Sequence, residues 1–328
     1  MTLAIIGAGS WGTALAIVLA PRFDRVVLWT YETDLARRMC ETRENDVFLP
    51  GFKLPANVVV TARLADLAGV PILLGVMPSR YARRLYSEAA PFLQPDVTIV
   101  SATKGLEQGT LLRMSEVIEE VLPFEPRTAV LSGPTFAREI ARGEPAAVVI
   151  ASAEGNVAAE VQVAFSGPSF RLYANSDTIG VEVGAALKNV IAIGAGVCQG
   201  LGLGNNTLAA LITRGLAEIT RLAVAMGGKA QTLAGLAGLG DLVLTCSGEL
   251  SRNRKVGLEL AKGRRLAEIV GSTAMIAEGV ETCDAAVALG QKYSVELPII
   301  NQMHAVLHQE KSPREALRDL MERSLKHE

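Results

Sequence analysis

The chain has 328 residues, of which 49% are hydrophobic and 20% charged, and its 32 basic and 34 acidic side chains leave a formal net charge of −2. That length predicts two domains with large apolar cores rather than one. The even charge balance excludes a bulk electrostatic binder of nucleic acid.

Residues 2–6 form a short apolar strand that runs straight into Gly7-Ala8-Gly9-Ser10-Trp11-Gly12, and an apolar helical run follows over 13–20. A G-x-G-x-x-G between a strand and a helix is where a dinucleotide needs it. Gly7 permits the tight turn, Gly9 lets backbone approach a pyrophosphate, and Gly12 lets helix and strand pack closely. The helix then presents its N-terminal N–H groups and positive dipole end to the phosphates. A second strand over 25–29 ends near Glu32, twenty positions after Gly12.

Further strands are expected at 71–76, 97–101, 128–131, 146–151 and 170–173, with helical patterns between several of them, as at 110–122 and 156–164. Such alternation predicts an α/β, Rossmann-like, mostly parallel sheet covered on both faces. The strands after 128 could be parallel or partly antiparallel. Beyond about 175 the strand runs stop and Ala/Leu/Gly-rich helical periodicity takes over, at 179–197, 207–226, 254–262, 280–289 and 298–308. Ser312-Pro313-Arg314-Glu315 reads as a capping box opening a last helix. The expected division is a dinucleotide-binding domain at 1–176 and an all-helical, substrate-binding domain at 177–328.

No basic segment opens a secretory signal, and the best membrane-length run, 179–203, is broken by Gly, Lys and Asn, so no stable membrane insertion is expected. Cys40, Cys198, Cys246 and Cys283 are scattered without a C-x-x-C, as reduced thiols of a cytoplasmic protein would be. His304 and His308 are four apart, but the only other histidine is His327. They read as packing or surface residues, and no metal is expected.

Four segments place charge or turn chemistry where a plain core would not. Lys104 follows an apolar strand and precedes Gly105; it could meet a ligand or sit in a solvated loop. Ser132-Gly133-Pro134-Thr135-Phe136-Ala137 offers a backbone-lined pocket or merely a strand-to-helix turn. Lys188 and Asn189 interrupt an apolar helix, which favours a polar cleft over a side chain reaching outward. Asp241 follows Gly238-Leu239-Gly240. Beyond it, Ser251-Arg252-Asn253 suits a phosphate or carboxylate, or alternatively a capped helix start with Arg252 exposed.

Taken in order, these motifs resemble the bacterial NAD(P)-dependent sn-glycerol-3-phosphate dehydrogenases from end to end. The resemblance also rests on Leu211-Ile212-Thr213-Arg214-Gly215-Leu216-Ala217-Glu218 and Glu278-Gly279. It implies interconversion of dihydroxyacetone phosphate and sn-glycerol 3-phosphate, feeding glycerophospholipid biosynthesis, by a cytoplasmic homodimer. Ser10 and Trp11 would line the pyrophosphate, with Ala137, Ile276 and Glu278 as further cofactor contacts. Lys104 would touch cofactor and substrate, and Gly133 and Thr135 substrate. Lys188 would be the proton-transferring lysine. Asp241, Ser251, Arg252 and Asn253 would belong to the substrate site, with Arg252 also near the cofactor. Where many relatives place Arg or His after the second strand, this chain has Thr30-Tyr31-Glu32. The cofactor is therefore NAD or NADP, with Glu32 favouring NAD. The alternatives are a two-domain dehydrogenase of a hydroxy acid or sugar acid phosphate, and a non-catalytic nucleotide sensor.

Overall fold

The computed structural model describes residues 1–271 and 277–325. Among them, eight strands form one sheet: β1 (Thr2–Ile6), β2 (Arg25–Trp29), β3 (Val58–Thr61), β4 (Ile72–Gly75), β5 (Thr98–Ser101), β6 (Arg127–Ser132), β7 (Ala146–Ala151) and β8 (Phe170–Asn175). Their spatial order is β3-β2-β1-β4-β5-β6-β7-β8. The first six run parallel, β7 is antiparallel to β6, and β8 is parallel to β7. Direction therefore reverses once, between β6 and β7, and this settles the alternative left open after residue 128. The edge strand β3 is additional to those expected. It has four residues and leaves Val59 exposed, so it carries little of the buried apolar pattern that marks a central strand.

In β1, Leu3 and Ile5 enter one apolar cluster and Ala4 and Ile6 the cluster on the opposite face, as a two-residue period requires. Helices α1 (Ser10–Leu19), α2 (Thr33–Thr42), α3 (Ser79–Ala89), α4 (Met114–Val121), α5 (Ala137–Ala141) and α6 (Gly155–Phe165) belong to this half. Helix α4 starts four residues later than its periodicity suggests. Leu111 is left-handed (φ 64°), the Glu107 N–H bonds the Leu112 carbonyl, and the Arg113 N–H is capped by Glu116. Both sheet edges are blunted. On β8, Gln162 Nε2 donates to the Leu172 carbonyl and the Leu172 N–H donates to Ser166 Oγ. On β3, the Val58 carbonyl accepts from Arg43 and the Val60 carbonyl from Cys40 Sγ.

The helical half comprises α7 (Thr178–Gly200), α8 (Asn205–Ala225), α9 (Ala230–Leu233), α10 (Asp241–Ser247), α11 (Arg252–Ala261), α12 (Leu266–Gly271), α13 (Glu278–Lys292), α14 (Pro298–His308) and α15 (Pro313–Met321). Ser312 and Glu315 form the expected capping box. Helix α7 has the length and mean hydropathy, 1.5, of a membrane span, yet it is buried along its whole apolar stretch as the core of this half. Glycines set its contact with α11. A Cβ on Gly257 would lie 1.9 Å from the Ile193 carbonyl oxygen, and one on Gly196 would lie 1.9 Å from that of Arg254.

Candidate active site

A cleft of about 530 Å³ joins the glycine turn of the sheet half to α7, α10 and α11 of the helical half. At its sheet end the three glycines of the turn do different work. Gly7 has φ +111°, and a Cβ there would press on the Val76 carbonyl at 2.7 Å; a Cβ on Gly12 would lie 1.8 Å from the Gly7 carbonyl oxygen. Those two glycines serve the fold. Around Gly9 no protein atom lies within 4 Å of where a Cβ would be, so its open side is left for a ligand. Gly9 caps α1 and has no side chain to satisfy the first-turn N–H groups. Gly9, Ser10 and Trp11 all line the cleft. The turn thus fits the pyrophosphate of a dinucleotide.

The helical end holds a charge cluster built around one carboxylate. Asp241 opens α10 directly after a π-helical turn, Leu236–Gly240, and is 1% exposed. Its Oδ1 accepts from Lys188 Nζ and its Oδ2 accepts from Lys104 Nζ at 2.9 Å. Lys188 also donates to Thr245 Oγ1 at 3.0 Å, one turn along the same helix. Lys104 reaches from the end of β5 to the Gly133 carbonyl at 2.8 Å and to Thr135 Oγ1 at 3.2 Å. Burial lowers the Lys188 ammonium to about 7; Asp241 opposes that shift and the charge of Lys104 assists it. An amine that titrates near neutrality at the end of a cleft can both give and take a proton.

Around this cluster, amides stitch loops together. Asn189 donates to the Lys104 carbonyl at 3.3 Å, Asn253 donates to Asn189 Oδ1 at 2.9 Å, and the Gly279 N–H donates to Asn253 Oδ1 at 3.0 Å. Ser251 caps α11 by accepting from the Arg254 N–H. Between Ser251 and Asn253, Arg252 stays exposed and lines the cleft, so its planar fork of donors is available to an anion. Glu278 is anchored to Ser79 at the start of α3, 2.9 Å from its hydroxyl, and burial raises its carboxyl to about 7.

Comparison with known proteins decides the family. The N-terminal model of NAD-dependent glycerol-3-phosphate dehydrogenase matches residues 2–158, and its C-terminal model matches 177–318. The chain belongs to this family. It is 57% identical over 326 residues to a glycerol-3-phosphate dehydrogenase [NAD(P)+] of Koribacter versatilis, covering 98% of this chain and 97% of the relative. It is 53% identical to one of Citrifermentans bemidjiense, covering 99% and 98%. The crystal structure of glycerol-3-phosphate dehydrogenase from Coxiella burnetii superposes with a TM-score of 0.94 at 41% identity, covering 98% of this chain and 99% of that one.

Most of the residues expected for this family's site converge. Gly9, Ser10, Trp11, Lys104, Thr135, Ala137, Lys188, Asp241, Ser251, Arg252, Asn253 and Glu278 line the one cleft, and Gly133 touches it through Lys104. Ile276 lies outside the described residues, as does His327. Tyr31 and Glu32 sit away from the cluster, beyond β2. Tyr31 is exposed, with the Arg84 guanidinium 5.3 Å from its ring centre, and Glu32 accepts from Thr30 Oγ1 at 2.8 Å. The fold supplies His304 and His308 with a neighbour the sequence does not reveal, Asp284, 3.2 and 3.3 Å from their Nε2 atoms. Two functional neighbours were missed. Thr245 is four residues from Asp241 and could have been found by helical spacing; Ser79, 199 positions from Glu278, could not.

Proposed function

We infer that this chain interconverts dihydroxyacetone phosphate and sn-glycerol 3-phosphate with NAD(P)H. The observation that carries the reading is the Lys188–Asp241–Lys104 cluster facing the same cleft as the glycine turn. When bound, the dinucleotide supplies the hydride. As the substrate carbonyl becomes an alkoxide it needs a proton and positive charge. Lys188 Nζ gives the proton, and Lys104 adds charge while Asp241 holds both amines in place. Arg252, with Ser251 and Asn253, would hold the substrate phosphate, so that remote binding energy orients the reacting carbon. In the reverse direction neutral Lys188 accepts the hydroxyl proton.

On the cofactor side, Gly9, Ser10, Trp11, Lys104, Ala137, Arg252 and Glu278 make up the proposed dinucleotide contacts, with Gly7 and Gly12 shaping the turn and Tyr31 and Glu32 at the adenosine end. The reading favours NAD. Glu32 can accept from a ribose 2′-hydroxyl and repel a 2′-phosphate. Supporting it, Arg38 of α2 pairs with Asp46 at 3.1 Å and Arg37 lies 3.6 Å from Asp34, which leaves Arg84, over the Tyr31 ring, as the cation a 2′-phosphate would have to recruit. We further read 1–176 as the cofactor half and 177–328 as the substrate half of a cytoplasmic homodimer that serves glycerophospholipid synthesis. Following NADH absorbance with dihydroxyacetone phosphate tests the activity. Turnover of a 2-keto acid in place of the triose phosphate would overturn it.

A further inference from the structure

The loop between α2 and β3 is fastened to itself and to the glycine turn. Arg43, left-handed at φ 57°, sends its guanidinium to the carbonyls of Leu54, Pro55 and Val58. Glu44 accepts from the Gly51 N–H at 2.8 Å and pairs with Lys53 at 3.0 Å. At the centre lies Asn45, 0% exposed. Its Nδ2 donates to the Ala8 carbonyl at 2.7 Å and to Thr13 Oγ1 at 2.8 Å, 37 and 32 residues away. Its Oδ1 accepts from the Phe48 N–H at 2.9 Å, and its own carbonyl accepts from the Leu49 N–H at 3.1 Å.

One side chain therefore joins two things that border the cleft. Ala8 stands between Gly7 and Gly9, and residues 47–50 line the cleft together with Gly9, Ser10 and Trp11. Only an amide has both the two donors and the acceptor used here; a carboxylate has no donor. Without Asn45, the Ala8 carbonyl keeps Thr13 Oγ1 at 3.4 Å as its remaining side-chain partner. We propose that Asn45 is a positioning residue for the dinucleotide, holding the glycine turn and the 47–50 wall in one arrangement before the cofactor arrives. Ordering both surfaces in advance spares the cofactor that cost on binding. The proposal rests on the reading that the glycine turn holds the dinucleotide.

The test titrates the full-length enzyme with NADH and measures its kinetics with dihydroxyacetone phosphate. Asn45→Ala and Asn45→Asp are each expected to raise the NADH Kd about tenfold, as loss of a buried partner predicts. At saturating NADH, kcat and the KM for dihydroxyacetone phosphate stay within about threefold of wild type, because the proton donor is untouched. A residue that merely supported the fold would lower Tm and leave the Kd alone. That result, or a Kd within about twofold of wild type, overturns the proposal. If Asn45→Ala does not fold, Thr13→Val removes one acceptor of the same amide and should raise the Kd about threefold; no rise overturns it. Gly9→Ala tests the underlying reading separately, since its Cβ meets no protein atom within 4 Å and obstructs only a ligand. Weaker NADH binding by Gly9→Ala alongside an unaffected Asn45→Ala sinks the Asn45 proposal alone. No effect in either sinks the cofactor reading with it.

Discussion

Lys188 combines burial, a carboxylate partner and a second lysine charge, and each makes a separate prediction. Lys188→Ala should leave NADH affinity unchanged and lower kcat by about 10²–10⁴-fold, the usual worth of a positioned proton donor. A variant that keeps more than half of wild-type kcat would remove Lys188 from that role. Reduction needs the protonated amine, so its rate should fall as pH rises through about 7, while oxidation of glycerol 3-phosphate rises. Asp241 holds the Lys188 pKa up, so Asp241→Asn should move the falling limb toward acid. Lys104 pushes it down, so Lys104→Met should move the limb toward alkali; opposite displacements would refute the coupling. Arg252→Ala should cost about 2–4 kcal/mol in kcat/KM for the phosphorylated substrate, with incomplete rescue by lysine. Unphosphorylated dihydroxyacetone is the control: an equal loss there would mean that Arg252 does not read phosphate. Kinetics with both cofactors at one ionic strength check Glu32. An NADPH preference of tenfold or more, about 1.4 kcal/mol, would overturn the NAD assignment.

At the scale of elements, the chemistry depends on how closely helices approach. Gly257 and Gly196 let α11 lie against α7, and α11 begins with Arg252 and carries Asn253. Gly257→Ala should therefore destabilise the protein by about 1–3 kcal/mol, the usual cost of overpacking, read as a lowered urea midpoint. It should also weaken substrate binding more than NADH binding. Equal midpoints for variant and wild type would show that the contact can relax. The glycine turn and the lysine in its apolar helix were legible because local spacing carries them. The grouping of Lys104, Lys188 and Asp241 was legible through the family resemblance and not through spacing, since 84 positions separate the two lysines and the fold closes that gap. The late start of α4 was equally hidden. An apolar rhythm cannot report that Leu111 is left-handed.

Considered as a whole molecule, the chain sets its proposed catalytic groups on both sides of one cleft, and the long apolar helix α7 is the core of the half that carries Lys188. That helix explains why hydropathy alone misleads here: the same composition would suit lipid, but the neighbouring helices enclose it. Two halves and their order could be read from the sequence, since strand and helix periodicities segregate along it. The number of strands could not, because β3 is short and half open.

The blunted margins of the sheet limit how two copies can meet. Along β8 the Leu172 amide already gives its hydrogen to Ser166 and its oxygen to Gln162, and along β3 Arg43 and Cys40 occupy the carbonyls of Val58 and Val60. A strand arriving from another molecule finds the main-chain groups at these positions taken, so continuing the sheet across two subunits would first break bonds inside each. The homodimer proposed above would then form through side chains rather than by extending the sheet at these positions. Its strength should depend on shape and apolar contact, and single surface substitutions should be able to part it while each subunit's cleft stays intact.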